Sequence, residues 1–293
     1  MVPEGTTAAR GVRAAVIGSP IAHSKSPLLH GAAYRALGID CSYSAIDVDA
    51  AHIGAFLDDL RAGTAWRGLS VTMPLKGAVA RLVDTTTAPA AVLGVVNTVV
   101  VGDGPHPMLT GHNTDVAGVA HALAAAGVGA PQRCVVLGGG GTAAAAVAGL
   151  AQLGAGAVSV IVRRPAASED LQRIGAALGV EVAVVPWSRA AEVVPASDVV
   201  VSTLPPRAAD PLARELTAHT GFRTDGTLLD VAYDPWPSRL AAAWQQAGGR
   251  IVPGLDMLIH QAVEQVALFF PEAGADRAAV LRVMCDAVGA VRR

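Results

Sequence analysis

Two serines, Ser24 and Ser26, and a separate lysine and aspartate, Lys76 and Asp115, are the residues whose types and settings could do chemistry in this chain. The serines lie in Val16-Ile-Gly-Ser-Pro-Ile-Ala-His-Ser-Lys-Ser-Pro-Leu-Leu-His30, where an apolar strand over Arg13 to Ile17 is broken by Gly18 to Pro20 and handed to a helix. Ser26-Pro27 reads as an N-cap followed by proline at the first helical position. Free N–H groups of that first turn, with two neutral hydroxyls beside them, make a cradle for a small anion, a carboxylate or a phosphate. Lys76 ends Ser70-Val-Thr-Met-Pro-Leu-Lys76, and its ammonium could protonate an oxygen or stabilise charge on it. Such an ammonium needs a carboxylate to place it. Asp115, closing Gly111-His-Asn-Thr-Asp115 and opening a helix, is the best-situated candidate. Singly, these residues read as a cap, a turn and a surface lysine.

The elements that must position them alternate. Strands are expected over Ala14 to Ile17, Ser42 to Asp47, Gly68 to Thr72 and Asn97 to Val101, with helices from Pro27 to Leu37 and Ala50 to Arg61. This is an open α/β layout, with a domain change near Asp115. A second unit starts at Cys134 and repeats strand and helix through 158–162, 181–185, 198–202, 227–231 and 250–252. The tail, 256–270 and from Asp276 onward, reads as helix. No internal repeat or low-complexity linker interrupts the chain.

Composition narrows the partners. At 293 residues, with a formal net charge of -2 and no charged blocks, the chain suits two domains and small ligands, and argues against nucleic acid or an anionic membrane surface. Cys134 to Val162 carries no charge, yet its many glycines fit buried strand, turn and helix better than a bilayer span. The first ten residues lack the apolar run of a signal peptide, so a cytoplasmic protein is expected. Cys41, Cys134 and Cys285 lie far apart with no metal-ligand spacing; buried thiols and no metal site are expected.

Val135-Val-Leu-Gly-Gly-Gly-Gly-Thr-Ala143 has the strand-turn-helix setting of a dinucleotide fingerprint. Gly138 permits the tight turn, Gly140 lets backbone N–H groups approach a pyrophosphate, and Ala143 lets the helix pack close; Gly139, Gly141 and Thr142 complete the loop and first turn. The next strand ends in Ile161-Val-Arg-Arg-Pro165. NAD sites offer a carboxylate there, whereas Arg163 and Arg164 offer donors to a 2′-phosphate, so NADP is the expected cofactor. Asp198 to Pro205 is a buried strand ending in small hydroxyl residues, which puts Thr203 at the ligand crevice. With hydride available from a nicotinamide, Lys76 becomes the candidate proton donor to a ketone oxygen.

In this order, Gly18 to Pro27, Val71 to Lys76, Asn97-Thr98, Asn113-Thr-Asp115 and Gly254-Leu-Asp-Met-Leu-Ile-His-Gln261 resemble the motifs of the shikimate dehydrogenase family, from Ala14 to about Phe270. The resemblance implies NADPH-dependent reduction of 3-dehydroshikimate to shikimate. It implies two open α/β domains: a substrate domain, residues 1–115 plus 255–293, and a Rossmann-type NADP-binding domain, residues 116–254, with the C-terminal helices returning to the first. By it, Ser24 and Ser26 hold the substrate carboxylate, Tyr233 stands near it, and Thr72, Asn97, Asp115 and Gln261 bind ring hydroxyls. Lys76 is the catalytic lysine, with Val231 and Gly254 lining the nicotinamide. A homodimer is compatible with it. Two departures stand out: Ser70 where many members have Asn, and Arg163-Arg164-Pro165 where Asn-Arg-Thr is frequent. The rival readings are a quinate/shikimate dehydrogenase, a relative acting on an amino-substituted analogue, and a non-catalytic NADP-binding sensor.

Overall fold

The computed structural model describes residues 11–63, 65–165, 169–218 and 221–291. Its first sheet is built from β1 (Val12–Gly18), β2 (Cys41–Asp47), β3 (Trp66–Val71), β4 (Thr85–Thr86), β5 (Thr98–Val101) and β6 (Leu109–His112), in the order β2-β1-β3-β5-β6-β4. β1 runs parallel to both β2 and β3, while β5 runs antiparallel to β3 and β6. That reversal matters for the site, because Asn97 at the start of β5 meets the end of β3 and the end of β6. Helices α1 (Ser26–Leu37), α2 (Ile53–Ala62), α3 (Lys76–Ala80) and α4 (Ala88–Leu93) connect these strands, and α5 (Asp115–Ala125) leaves the sheet.

The second sheet is wholly parallel, in the order β12-β11-β10-β7-β8-β9. Its strands are β7 (Cys134–Leu137), β8 (Ala157–Val162), β9 (Glu181–Pro186), β10 (Val199–Ser202), β11 (Thr227–Asp230) and β12 (Arg250–Pro253). All four residues of β7, Cys-Val-Val-Leu, are buried, as expected of a central strand with helices on both faces. The order is that of the doubly wound dinucleotide fold, whose ligand crevice lies at the carboxyl ends where the order reverses, here between β7 and β10. Helix α6 (Gly141–Gln152) begins at that point. The uncharged 134–162 segment is thus strand, helix and strand, and no helix among the described residues is long and apolar enough to cross a membrane.

Helices α11 (Gly254–Phe269) and α12 (Arg277–Val288) return to the first sheet. Leu29, Ala33 and Tyr34 of α1 share an apolar cluster with Ile259, Val266 and Phe269 of α11 and Val280 and Met284 of α12. Helix α5 stands between α11 and α6, and glycine lets it sit close to both. A Cβ on Gly118 would meet Met257 O at 2.9 Å, and one on Gly149 would meet Val119 Cβ at 2.9 Å. Asp115 and Gln261, on α5 and α11, are placed by this packing.

Three expectations need correction. Ser26 is the first residue of α1, not its cap: Lys25 already has φ -85° and ψ -5°, and the Ser24 hydroxyl accepts the Ser26 N–H at 3.3 Å. The second helix starts at Ile53, since Asp49 takes the N–H groups of Ala51 and His52 in a turn before it. Cys134 and Cys285 are buried but Cys41 is only half-buried, because β2 is an edge strand; none of the three forms a disulfide. Burial pushes the thiols of Cys41 and Cys134 up to about 11, away from reactivity at neutral pH.

Candidate active site

A cavity of about 270 Å³ opens where the ends of β1 and β3 meet the starts of α1, α3, α5 and α11. Ser24 and Ser26 form one wall, Thr72 and Lys76 another, and Asp115, Gln261 and Tyr233 line it as well. Local sequence explains the convergence. A Cβ on Gly18 would lie 2.4 Å from Thr72 Cγ2, so only glycine lets the end of β1 run against Thr72, whose N–H donates to Ile17 O at 2.9 Å. The loop after β1 then delivers both serines to the mouth of the segment that leads into α3.

Lys76 opens α3 and Asp115 opens α5, and Lys76 Nζ donates to Asp115 Oδ2 at 2.5 Å. Their side chains are 17% and 7% exposed, so the ion pair is largely withdrawn from solvent yet borders the cavity. A carboxylate in the first turn of an eleven-residue helix gains from the unpaired N–H groups there. The other oxygen, Oδ1, accepts Asn97 Nδ2 at 2.8 Å. Asn97 is itself fixed: Oδ1 accepts Thr114 N at 2.7 Å and Thr98 Oγ1 at 2.8 Å, while Nδ2 also reaches Thr114 Oγ1 at 2.9 Å. Only 2% exposed, Asn97 stands behind Asp115 and is absent from the cavity lining, unlike the other expected ring-binding residues.

A second tier of this wall escaped the sequence reading. Gln265, one turn after Gln261 on α11, is buried with its Nε2 donating to Thr98 Oγ1 at 2.9 Å and to Asn97 O at 3.3 Å. Its Oε1 accepts Ser70 Oγ at 2.7 Å and faces His30 Nε2 at 3.2 Å. Tyr43 Oη donates to Ser70 Oγ at 2.6 Å, and the Tyr43 ring stacks on His30 with centroids 4.0 Å apart. Full burial drives His30 down to about 3, so its ring is neutral at physiological pH. Among the described residues, no buried side-chain nitrogen or oxygen lacks a partner.

The second sheet supplies the neighbouring part of the site, in which the glycine turn and the arginines lie outside the cavity lining. Gly138 has φ +116°, and a Cβ there would meet Thr203 Oγ1 at 2.5 Å, a hydroxyl held by Leu137 O at 2.9 Å. Gly140 precedes the first residue of α6 and a Cβ on it would meet nothing within 4 Å, so it faces open space in front of the helix start. Gly139 is exposed beside it, Gly141 opens α6 and Ala143 is buried beneath. No acidic residue lies in the first turn of α6, and its N–H groups point into that space. Arg163 and Arg164 sit exposed just past the end of β8, with no ion pair to a described residue. A glycine turn, an open helix start and two guanidinium groups with no ion pair among the described residues, at the neighbouring strand end, fit the diphosphate and 2′-phosphate of NADP. Thr142, Val231 and Gly254, expected on the cofactor side, line the same cavity as Ser24 and Lys76. A Cβ on Gly254 would lie 2.1 Å from Val231 O, so the start of α11 and the end of β11 touch there through backbone.

Two family models match separate parts of the chain. Residues 16–99 match the family described as the shikimate dehydrogenase substrate binding domain, and residues 133–232 match that described as NADP oxidoreductase, coenzyme F420-dependent. A shikimate dehydrogenase (NADP(+)) of Methylobacterium radiotolerans is 38% identical over 88% of this chain and 91% of its own. The crystal structure of Mycobacterium tuberculosis shikimate dehydrogenase is 42% identical, with TM-score 0.81 over 94% of this chain and 99% of that one. A quinate dehydrogenase of Corynebacterium glutamicum, solved with NAD, is 28% identical with TM-score 0.80 over 94% and 99%. A Rossmann-type domain whose Thr142, Val231 and Gly254 reach the cavity of a lysine–aspartate pair, together with these relatives, defines an NADP-dependent oxidoreductase acting on a CH–OH group. The chain belongs to the shikimate dehydrogenase family.

Proposed function

We propose that this enzyme interconverts 3-dehydroshikimate and shikimate with NADP(H), in cytoplasmic chorismate and aromatic amino acid biosynthesis. The observation that carries the reading is the Lys76–Asp115 pair in a cavity bounded on one side by Ser24 and Ser26 and on the other by Val231 and Gly254. Residues 1–115 with 255–293 act as the substrate-binding and catalytic domain, and 116–254 as the NADP-binding domain. The nicotinamide supplies or accepts the hydride when bound.

The protein's own part is to bind, orient and move a proton. Ser24 and Ser26 anchor the ring carboxylate through neutral hydroxyls, with Tyr233 beside it, and Thr72, Asp115 and Gln261 take ring hydroxyls. Lys76 Nζ gives a proton to the carbonyl oxygen in reduction and takes it back in oxidation, while Asp115 keeps the ammonium aimed. Asn97 acts through Asp115, holding the carboxylate so that Oδ2 faces Lys76. Gly138 to Ala143 and Thr203 shape the diphosphate turn, and Arg163 and Arg164 grip the 2′-phosphate.

Quinate is the nearest competing substrate, and the arginine pair argues against an NAD-preferring quinate enzyme, since it leaves cations where the NAD ribose wants an acceptor. A non-catalytic sensor would have no use for a buried Lys76–Asp115 pair beside the cofactor wall. The test is a steady-state assay with shikimate and quinate, each offered with NADP and with NAD. Turnover highest for shikimate with NADP supports the reading; preference for quinate, or cofactor binding with no turnover of either acid, rejects it.

A further inference from the structure

Ser70 is a cavity-lining hydroxyl whose proton direction the structure determines. Gln265 donates to the backbone carbonyl of Asn97, an atom that can only accept, so its amide nitrogen faces Asn97 and Thr98 and its oxygen faces Ser70. Ser70 therefore spends its only proton on Gln265 Oε1 at 2.7 Å. The same oxygen of Gln265 faces His30 Nε2, which a neutral ring can satisfy as a donor while Tyr34 Oη serves His30 Nδ1 at 3.2 Å. On its other side Ser70 Oγ receives the Tyr43 hydroxyl at 2.6 Å, and Tyr43 also touches Ser26. A serine oxygen has one proton and two lone pairs. With the proton gone to Gln265 and one lone pair engaged by Tyr43, a single lone pair is left for the cavity.

We infer that Gln265 and Tyr43 make Ser70 an obligate hydrogen-bond acceptor in the substrate wall, so that the enzyme selects ring acids presenting a proton donor, a hydroxyl or an ammonium, at the position facing it. The inference rests on the proposed ring-acid substrate and deepens it. An asparagine here would present both an N–H donor and a carbonyl acceptor to a ligand; this serine presents acceptance alone. Ser70 is 5% exposed, so a ligand atom that brings no proton to it displaces water without replacing the bond, and the loss appears as discrimination. Gln265 and Tyr43 act through Ser70 and are positioning residues; Gln265 does not line the cavity.

The experiment measures kcat/KM for shikimate and for analogues in which each non-reacting ring hydroxyl in turn is replaced by fluorine, which has similar size and no proton, or by an amine. In the wild type, one ring position should show fluorine disfavoured by about 30-fold or more with the amine tolerated. Ser70→Ala should bring the hydroxyl-to-fluorine ratio at that position to within about 3-fold of unity. Gln265→Met, which frees the Ser70 proton to turn into the cavity, should lower the ratio about 5-fold or more while Ser70 remains. A structural role alone would lower activity on all analogues equally and leave the ratios standing. Unchanged ratios in Ser70→Ala, or a ratio in folded Gln265→Met equal to wild type, overturn the inference; should Gln265→Met not fold, the Ser70→Ala result decides. If the wild-type enzyme turns over no member of the series, the substrate reading itself falls, and the inference with it.

Discussion

On the wall contributed by the first sheet, the polar side chains are bonded to one another before any ligand arrives, from Tyr34 and His30 through Gln265, Thr98 and Asn97 to Asp115 and Lys76. On the side of the second sheet, the first turn of α6 has N–H groups free of intrahelical partners, and Arg163 and Arg164 form no ion pair among the described residues. The contrast separates two tasks. Proton transfer demands a lysine held in place, since a misplaced ammonium loses the geometry on which the rate depends. Cofactor binding instead must be reversible in each turnover, and an exposed cation keeps its full attraction for phosphate only if no carboxylate of the protein has claimed it.

Breaking the preorganised wall should have the largest effect. Lys76→Met removes the proposed proton donor and leaves the Asp115 carboxylate, 5% exposed, without its cation. The expected fall in kcat is about 10³-fold, with a much smaller change in the KM for NADP. A kcat within about 10-fold of wild type would take proton transfer away from this residue. On the side of the second sheet, Arg163→Ala with Arg164→Ala should act on cofactor choice alone. Loss of two charge-assisted phosphate contacts predicts a KM for NADP raised about 30-fold, with the values for NAD and shikimate near wild type. Equal losses with both cofactors would mean that the arginines do not read the 2′-phosphate.

The glycine turn gives a finer test, because its members differ in why they are glycine. Gly138→Ala puts a Cβ at φ +116° and 2.5 Å from Thr203 Oγ1, so stability should fall by about 1–3 kcal/mol together with cofactor affinity. Gly140→Ala adds a Cβ that meets no protein atom within 4 Å. Its thermal midpoint should stay near wild type while the KM for NADP rises severalfold, because the methyl enters the space offered to the diphosphate. Thermal melts and cofactor titrations of the two variants side by side check this; a similar loss of stability in both would show that Gly140 is needed by the fold.

The legibility of the two walls in the sequence follows from the same contrast. The glycine turn, Lys76 and Asp115 stand at junctions between a strand and a helix, where local patterning marks the position and residue type marks the chemistry. The parallel sheet was equally readable, since its strands are short apolar runs between turn residues. The second tier was not. His30 and Gln265 are 235 residues apart in sequence and meet only because α11 returns to pack on α1. A faint signal existed in Gln261 and Gln265, two amides at i and i+4 on an otherwise apolar helix face, though such a pair reads equally well as surface. Helix α3, at five residues, and the two-residue β4 are too short to show a period, and β6 needs β5 beside it to be recognised as a strand.

The deepest layer of the preorganised wall should register as acid sensitivity of the fold. His30 is neutral in the native state, with its pKa lowered to about 3 by burial, against 6.5 in the unfolded chain. Between those values the unfolded chain binds the extra proton. Stability is therefore greatest above about pH 6.5 and falls as pH drops toward 3, at up to about 1.4 kcal/mol per pH unit from this one group. His260, lowered to about 4 by burial and by His121, acts in the same direction. His30→Gln keeps an amide donor within reach of Gln265 and has nothing to titrate. Urea unfolding at pH 7 and pH 5 should show wild type losing about 2 kcal/mol more than His30→Gln over that interval. The difference between pH values cancels whatever constant stability the lost ring stacking on Tyr43 costs the variant. Equal losses in the two proteins would mean that His30 is not the group whose protonation opens this wall.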